Sequence, residues 1–241
     1  MTVTAIIQAR MGSSRLPGKV LKEVNGKPLL LHQIERLKTC RWIDQLLIAT
    51  TNDQQDNQIV EFCEKYNLAV FRGSENNVLE RYYKAWEKFG GETIVRLTSD
   101  CPIIDAEIVD ETIKYYLNNN FDYVSNTLER TFPRGLDTEV FSADALKVSY
   151  NSAILERDKE HVTPYIYTNP DKFKLGFYKG EKNYSKYRWT VDTEEDFELI
   201  NLLLNEYKGK EMDLKLKEAI RLMEANPNWF EINREIEQKK I

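Results

Sequence analysis

The sequence is poor in the residues that build metal centres and disulfide frameworks. Its 241 residues include three cysteines and two histidines. Cys40, Cys63 and Cys101 are scattered and show neither metal-ligand spacing nor a disulfide pattern. Two histidines are too few for a histidine-based metal site. These shortages exclude zinc-binding modules and small secreted disulfide scaffolds.

Long apolar runs and an excess of positive charge are also missing. No run approaches the ~20 apolar residues of a membrane span. The start of the chain has no secretory signal, because its first apolar stretch is short and Arg10 follows at once. The net charge of -5 argues against a nucleic-acid binder, which would carry a basic face. We expect a cytoplasmic protein that binds neither nucleic acid nor a membrane.

Apolar runs alternate with helical patterns through the first half of the chain. Strands separated by helices of this length form right-handed crossovers, and therefore a mostly parallel sheet. The sequence thus predicts an α/β, Rossmann-like fold. Strands are predicted at 3–7, 46–50, 69–71 and 93–97, and the helices between and after them begin at Pro28, at Asn52 or Asp53, near Val78 and near Ile108.

The regular alternation of predicted strands and helices weakens after about residue 120. We predict one domain over 1–241, with a regular first half at about 1–120, an elaborated part at 121–210 and a charged helical tail at 211–241 that breaks near Pro227. Predicted elements of the second half are strands at 122–126, 137–141, 174–178 and 187–191 and helices at 157–167 and 194–207.

A basic loop follows the first predicted strand. Residues 10–19 hold Arg10, Arg15 and Lys19 beside two glycines and two serines. Sheets of this kind bind ligands beyond the carboxyl ends of their strands, and glycine turns with cations hold phosphate. The loop has neither a Walker nor a dinucleotide signature. Its composition fits a solvated surface turn equally well, so its position is what favours a small anionic ligand.

Asp100 follows the fourth predicted strand at the same edge, and Asp192 follows the strand predicted at 187–191. Mg²⁺ prefers one or two carboxylates together with substrate phosphates and water. Both aspartates also have a structural interpretation besides metal binding, because Asp100 is a typical turn former and Asp192 can cap the helix that follows it.

The order of residues 8–19, Gln-Ala-Arg-Met-Gly-Ser-Ser-Arg-Leu-Pro-Gly-Lys, resembles the nucleotide-binding signature of the sugar-activating cytidylyltransferases. That family includes the CMP-KDO synthetases, the acylneuraminate cytidylyltransferases and the SpsF-type spore-coat polysaccharide proteins, and the SpsF type is the closest match. The resemblance runs from residue 3 to about 205. Supporting motifs are Asp-Cys-Pro at 100–102, Gly-Leu-Asp-Thr-Glu at 135–139, His-Val-Thr-Pro at 161–164 and Trp-Thr-Val-Asp-Thr-Glu-Glu-Asp at 189–196.

The resemblance implies a GT-A-like nucleotidyltransferase fold and a divalent cation (Mg²⁺ or Mn²⁺). It also implies that about residues 1–120 form the nucleotide-binding half, and that 121–210 hold the acceptor contacts and the contacts of a homodimer. The implied activity is transfer of CMP from CTP to a sugar or sugar-acid acceptor with release of pyrophosphate, in polysaccharide or glycan precursor biosynthesis. One alternative is a sugar-1-phosphate nucleotidyltransferase that uses UTP or GTP, although such enzymes open on a more glycine-rich loop. The other is a non-catalytic nucleotide- or sugar-binding protein, which would not need both Asp100 and Asp192.

The resemblance also assigns roles to residues. Catalytic roles fall on Arg15, Lys19 and Asp100, where the two cations would neutralise the leaving pyrophosphate, and the metal ligands would be Asp100 and Asp192. The predicted nucleotide-binding residues are Gln8, Ala9, Arg10, Gly12, Ser13, Arg15, Lys19, Arg72 and Thr98. The predicted acceptor-binding residues are Arg134, Asp137, Glu139 and His161.

Several of these residues also have structural interpretations. Asp137 and Glu139 would share one face of a strand, which could equally be a solvated face. A lone histidine such as His161 is more often structural than catalytic, and Arg72 could serve the turn at the end of its strand.

Overall fold

A computed structural model describes residues 1–238 of the chain. Its strands are β1 (Val3–Gln8), β2 (Glu23–Val24), β3 (Lys27–Pro28), β4 (Gln45–Thr51), β5 (Ala69–Gly73), β6 (Thr93–Thr98), β7 (Tyr123–Ser125), β8 (Glu139–Ser142) and β9 (Leu175–Phe177). Its α-helices are α1 (Leu29–Leu37), α2 (Asn57–Lys65), α3 (Val78–Phe89), α4 (Ala106–Leu117), α5 (Ala143–Ser152), α6 (Glu156–His161), α7 (Pro164–Tyr167), α8 (Glu194–Glu206), α9 (Leu216–Ala225) and α10 (Trp229–Asn233).

Seven strands form one central sheet in the order β5-β4-β1-β6-β8-β7-β9, and β2 pairs with β3 in a small hairpin. The pairs β1–β4, β1–β6, β4–β5 and β7–β9 are parallel. Strand β8 runs antiparallel to both of its neighbours. The predicted α/β architecture with a mostly parallel sheet is confirmed, and the sheet runs through both predicted halves of the chain.

The register of the sheet brings the ends of the first-half strands together. Gln8, the last residue of β1, lies beside Ala49 of β4 and Thr98 of β6. The hydroxyl of Tyr82 on α3 donates to the carbonyls of Ile6 and Leu97, at 3.0 and 3.2 Å, and so fixes two of these strands to the helix that covers them. The loops after β1 and β6 therefore leave the sheet at one edge.

Two predicted elements differ from the structure. Residues 187–191 do not form a strand, because their backbone pairs with two separate loops: Arg134 N–H donates to Tyr187 O, and Val191 N–H donates to Asp100 O. The helix predicted at 157–167 is two helices, α6 and α7, separated at Val162, which has a φ of 72°. Helix α5 was not predicted.

Smaller shifts occur at the helix starts. Pro28 precedes α1 as its N-cap, and Leu29 begins the helix. Helix α8 begins with a capping box in which Thr193 is the cap and Asp196 the reciprocal partner, so the cap role considered for Asp192 is wrong.

The C-terminal tail packs on the rest of the molecule. Leu214, Ala219 and Trp229 are buried in an apolar cluster that also contains the inner face of α8. The buried guanidinium of Arg36 on α1 donates to Leu214 O at 2.8 Å. The break predicted near Pro227 is confirmed between α9 and α10. Residues 239–241 of the predicted tail lie outside the described residues. Within 1–238, no helix has the length and apolar character needed to cross a membrane.

Candidate active site

A cleft of about 790 Å³ opens at the carboxyl edge of the sheet. It is bounded by the loop after β1, the loop after β6 and the segments before β8 and around α6. Its lining includes every predicted site residue except Arg72: Gln8, Ala9, Arg10, Gly12, Ser13, Arg15, Lys19, Thr98, Asp100, Arg134, Asp137, Glu139, His161 and Asp192.

The basic loop after β1 is pinned by a buried carboxylate. Asp56 is fully buried, and its Oδ1 accepts from the backbone N–H of Met11 at 2.7 Å. The loop closes where Gly18, with a φ of 69°, donates its N–H to Met11 O at 3.0 Å. A left-handed conformation here favours glycine. Ser13 Oγ accepts from Leu16 N–H at 3.3 Å within the turn. These hydrogen bonds therefore give the loop a defined conformation. Sequence reasoning missed the part that Asp56 plays in it.

A cluster of alternating charges lies at the centre of the cleft. Lys19 Nζ donates to Asp100 Oδ2 at 3.1 Å, to Asp192 Oδ1 at 2.7 Å and to Val191 O at 2.8 Å. Arg15 Nη2 lies 2.8 Å from Asp192 Oδ2. The structure thus brings together the four residues to which the resemblance gives catalytic or metal-binding roles.

The electrostatics keep Lys19 and Asp100 charged. Burial alone would lower the pKa of Lys19, but Asp100 and Asp192 together raise it above its ordinary value. Burial alone would raise the pKa of Asp100, yet the charge of Lys19 and the hydrogen bond from Thr98 Oγ1, at 2.6 Å, hold it below its ordinary value. Ion pairing outweighs desolvation at both groups, so carboxylate and ammonium coexist here at neutral pH.

The donor set suits a cation that arrives with phosphates. Asp100 and Asp192 converge on one point, which Lys19 Nζ occupies. Among residues 1–238 there is no group of three or more His, Cys, Asp or Glu side chains that could hold a metal ion. Two carboxylates without further protein ligands match Mg²⁺, which completes its shell with substrate phosphates and water.

Asp192 is held from behind by residues that sequence reasoning missed. Arg188 Nη2 donates to Asp192 Oδ2 at 2.8 Å, and Arg188 Nε donates to the fully buried Asp196 Oδ1 at 2.8 Å. The capping pattern of α8 was a usable signal for Asp196, whereas Arg188 carried none.

The side of the cleft that holds the predicted acceptor-binding residues consists of paired charges. Asp137 accepts two hydrogen bonds from Arg130, at 2.6 and 2.9 Å. Glu139 is buried, is ion-paired with Arg96 and accepts from Tyr123 Oη at 2.7 Å. Asp137 precedes β8, so it does not share a strand face with Glu139 as predicted, although both line the cleft. Arg96 was detectable as the charged residue of an otherwise apolar strand.

Arg134 and His161 complete this side. Within the described residues the guanidinium of Arg134 makes no hydrogen bond or ion pair, and burial lowers its pKa. His161 is half-buried, with Nε2 at 4.0 Å from Glu160 Oε2, and burial also lowers its pKa. His161 precedes Val162, whose positive φ is rare for a β-branched residue and marks local strain.

Arg72 lies away from the cleft. Its guanidinium donates to Thr51 O at 2.9 Å, to Asn57 Oδ1 at 2.7 Å and to Asp53 O at 2.7 Å, and so braces the loop after β4. A different arginine lines the cleft: Arg81 is almost fully buried and donates to Ser74 O at 2.6 Å.

The fold is that of nucleotidyltransferases. A CMP:2-keto-3-deoxy-manno-octonic acid synthetase, solved in complex with CTP, shares it with a TM-score of 0.67 at 15% identity, over 86% of this chain and 99% of that one. A cytidylyltransferase structure from Leptospira borgpetersenii serovar Hardjo-bovis matches more closely, with a TM-score of 0.91 and 35% identity over 100% of both chains.

The chain belongs to the cytidylyltransferase family, whose model matches residues 4–236. It is 36% identical over 230 residues to the spore coat polysaccharide biosynthesis protein SpsF of Bacillus subtilis, covering 92% of this chain and 94% of SpsF. It is 25% identical over 232 residues to the 3-deoxy-manno-octulosonate cytidylyltransferase of Pectobacterium carotovorum, covering 91% and 92%. The predicted family, fold and enzyme class are confirmed, and the protein is a nucleotidyltransferase.

Proposed function

We propose that this enzyme transfers CMP from CTP to a sugar-acid acceptor and releases pyrophosphate. The observation that supports this most directly is the charge cluster of Arg15, Lys19, Asp100 and Asp192 at the carboxyl edge of the sheet. Membership of the cytidylyltransferase family supports CTP as the nucleotide.

In the proposed reaction, an acceptor oxygen forms a bond to the α-phosphorus as the bond to the β-phosphate oxygen breaks. Arg15 and Lys19 would move from the carboxylates to the β- and γ-phosphates and stabilise the charge that develops on the leaving pyrophosphate. When bound, Mg²⁺ or Mn²⁺ would supply charge neutralisation at the phosphate oxygens, held by Asp100 and Asp192. Catalysis of this kind depends on positioning and electrostatics, which a pinned loop and an ordered cluster provide.

The remaining lining residues divide between the two substrates. Gln8, Ala9 and Arg10 would contact the nucleoside end, while Gly12 and Ser13 would offer backbone and hydroxyl donors to the triphosphate. On the other side, Arg134 supports an acidic acceptor, because it is a cleft-lining cation with no ion pair in the described residues. His161, Asp137 and Glu139 would shape the pocket for the hydroxyl groups of the acceptor.

A pyrophosphate-release screen with CTP, Mg²⁺ and a panel of sugar acids tests the proposal. We expect release with at least one keto-sugar acid. Thermal shift with CTP, UTP, GTP and ATP should favour CTP, with stabilisation of about 3 kcal/mol at a hundredfold excess over Kd. A preference for UTP or GTP with turnover of sugar 1-phosphates would favour the alternative sugar-1-phosphate activity. Tight CTP binding without turnover of any acceptor would favour a non-catalytic role. Homodimer formation, a cytoplasmic location and a role in polysaccharide biosynthesis stay predictions.

A further inference from the structure

The C-terminal helix reaches the catalytic cluster through a chain of buried side chains. Asn233, on α10, is 4% exposed. Its Nδ2 donates to Asp196 Oδ1 at 2.8 Å and to Arg188 O at 2.9 Å. Asp196 and Arg188 are paired, and Arg188 contacts Asp192. A continuous network therefore connects the end of the described chain with a carboxylate of the active site.

Arg188 uses each of its nitrogens in this network. Nε and Nη2 hold Asp196, at 2.8 and 3.0 Å, and Nη2 also donates to Asp192 Oδ2 at 2.8 Å. Nη1 donates to Gln238 Oε1 at 2.8 Å. Asp196 in turn accepts from the backbone N–H of Asp192 at 3.0 Å. A planar guanidinium that donates from all three of its nitrogens fixes the direction in which its partners point.

The side chains that contact Asp192 would respond differently to the binding of a nucleotide. Lys19 and Arg15 belong to the basic loop, and in the proposed reaction they turn towards the phosphates. Arg188 is 7% exposed and sits behind the carboxylate, so it stays in place. Once the loop has engaged the triphosphate, Arg188 is the side chain that still orients Asp192.

We propose that Arg188 and Asn233 are positioning residues for Asp192, and that α10 is thereby part of the active centre. The inference rests on the proposed function, because it assigns the orientation of a carboxylate that would hold the divalent cation. Residues that orient a metal ligand from behind typically change metal affinity by about tenfold to a hundredfold when replaced.

The variants Arg188→Lys and Asn233→Ala test the proposal. The lysine keeps the positive charge but loses the planar guanidinium that binds Asp192 and Asp196 at once. The alanine removes the hydrogen bonds that Asn233 donates from α10 and leaves the Arg188–Asp196 ion pair in place. Arg36→Lys is the control, because Arg36 also anchors the C-terminal segment, at Leu214 O, but does not line the cleft. Circular dichroism checks the fold of each variant, and Asn233→Ala alone decides if Arg188→Lys fails to fold.

The primary readout is Mn²⁺ binding, measured by the electron paramagnetic resonance signal of free Mn²⁺ with a CTP analogue that carries a methylene between its α and β phosphorus atoms. We expect the Mn²⁺ dissociation constant to rise about tenfold or more in Arg188→Lys and severalfold in Asn233→Ala. Affinity for the analogue without metal should stay within about twofold, and the Mg²⁺ concentration for half-maximal pyrophosphate release should rise in parallel.

Wild-type Mn²⁺ affinity in both variants would overturn the inference. A rise of the same size in Arg36→Lys would do so as well, since the effect would then follow from loosening the tail. If wild-type protein bound no Mn²⁺ with the analogue and released no pyrophosphate, the proposed function would fail instead.

Discussion

On the side of the cleft proposed to bind the nucleotide, Lys19 and Asp100 lie beyond two parallel strands, and the pairing of Gln8 with Thr98 sets the ends of β1 and β6 side by side. On the side proposed to bind the acceptor, Asp137 precedes β8, Glu139 begins that strand and His161 ends α6. There the residues are held by ion pairs such as Arg130–Asp137 and Arg96–Glu139. Sheet register sets the backbone positions on the first side, where Lys19, Asp100 and Asp192 then form their ion pairs. On the second side, ion pairs between side chains hold segments that lie outside the parallel strands.

The difference bears on how the two sites tolerate change. A site held by sheet register loses an interaction when a side chain is replaced, but its frame remains. A site held by buried ion pairs loses its frame too, because removing one partner leaves an uncompensated charge. Substitutions on the nucleotide side should therefore act on chemistry, and those on the acceptor side on chemistry and folding together.

The largest effect on turnover is expected from Asp100→Asn. It removes a charge that would face the cation and the phosphates, so kcat for pyrophosphate release should fall by about 10²- to 10³-fold. Circular dichroism should show an intact fold, since strand register does not depend on this side chain. Asp110→Asn is the control, because Asp110 binds the backbone of Arg41 and Trp42 outside the cleft. Unchanged turnover in Asp100→Asn would contradict a catalytic role for Asp100.

The largest effect on stability is expected from Gly135→Ala. Gly135 has a φ of 101°, and an added Cβ would lie 2.6 Å from the carbonyl carbon of Trp189. We expect a loss of about 3 kcal/mol or more in the free energy of unfolding, measured by urea denaturation. Gly26 has a φ of 72° with open space around it, so Gly26→Ala should cost only about 1 kcal/mol. Equal losses in both variants would show that the contact with Trp189 does not matter.

A moderate effect confined to one substrate is expected from His161→Gln. Because His161 lines the cleft and is proposed to contact the acceptor, KM for the acceptor should rise about tenfold while KM for CTP stays unchanged, as for one lost hydrogen bond. Steady-state kinetics with each substrate varied in turn gives both constants. A rise in KM for CTP alone would place His161 on the nucleotide side.

The smallest effect on activity is expected from Arg72→Ala. The structure uses Arg72 to brace the loop after β4 through three hydrogen bonds. The free energy of unfolding should fall by about 1–2 kcal/mol, and KM for CTP should stay within about twofold of the wild-type value. A tenfold increase in KM for CTP would restore the nucleotide-binding role that the sequence predicted.

Sequence reasoning worked best where local pattern and function coincide. Strands such as β1 are buried on both faces and appear as short apolar runs, while the helices between them bury one face, so β1, β4, β5 and β6 were predicted within one or two residues. Since parallel strands end at one edge, the meeting of the loops that carry Lys19 and Asp100 followed as well.

The rest depends on contacts between residues distant in sequence. Arg188, Asn233 and Asp56 act through buried partners that no local period reveals. The absence of a strand at 187–191 has the same origin, because tertiary contacts outweigh local propensity there. The split at Val162 carried a local signal that the prediction missed, since Pro164 begins α7 and lacks the N–H that would continue α6. Arg72 shows the converse, since its place at the end of a strand suggested the cleft, while its hydrogen bonds turn it towards a neighbouring loop.

Lys19 bears on the order in which the enzyme takes up its reactants. In the free protein its ammonium group occupies the point where Asp100 and Asp192 converge, at 3.1 and 2.7 Å. A divalent cation that arrives alone meets carboxylates already neutralised by this internal counter-ion. In the proposed reaction the triphosphate would draw Lys19 towards itself, so that both carboxylates become available to hold the cation that accompanies the nucleotide. We therefore expect the nucleotide and its metal to enter as one unit, with Lys19 returning to its resting position between turnovers.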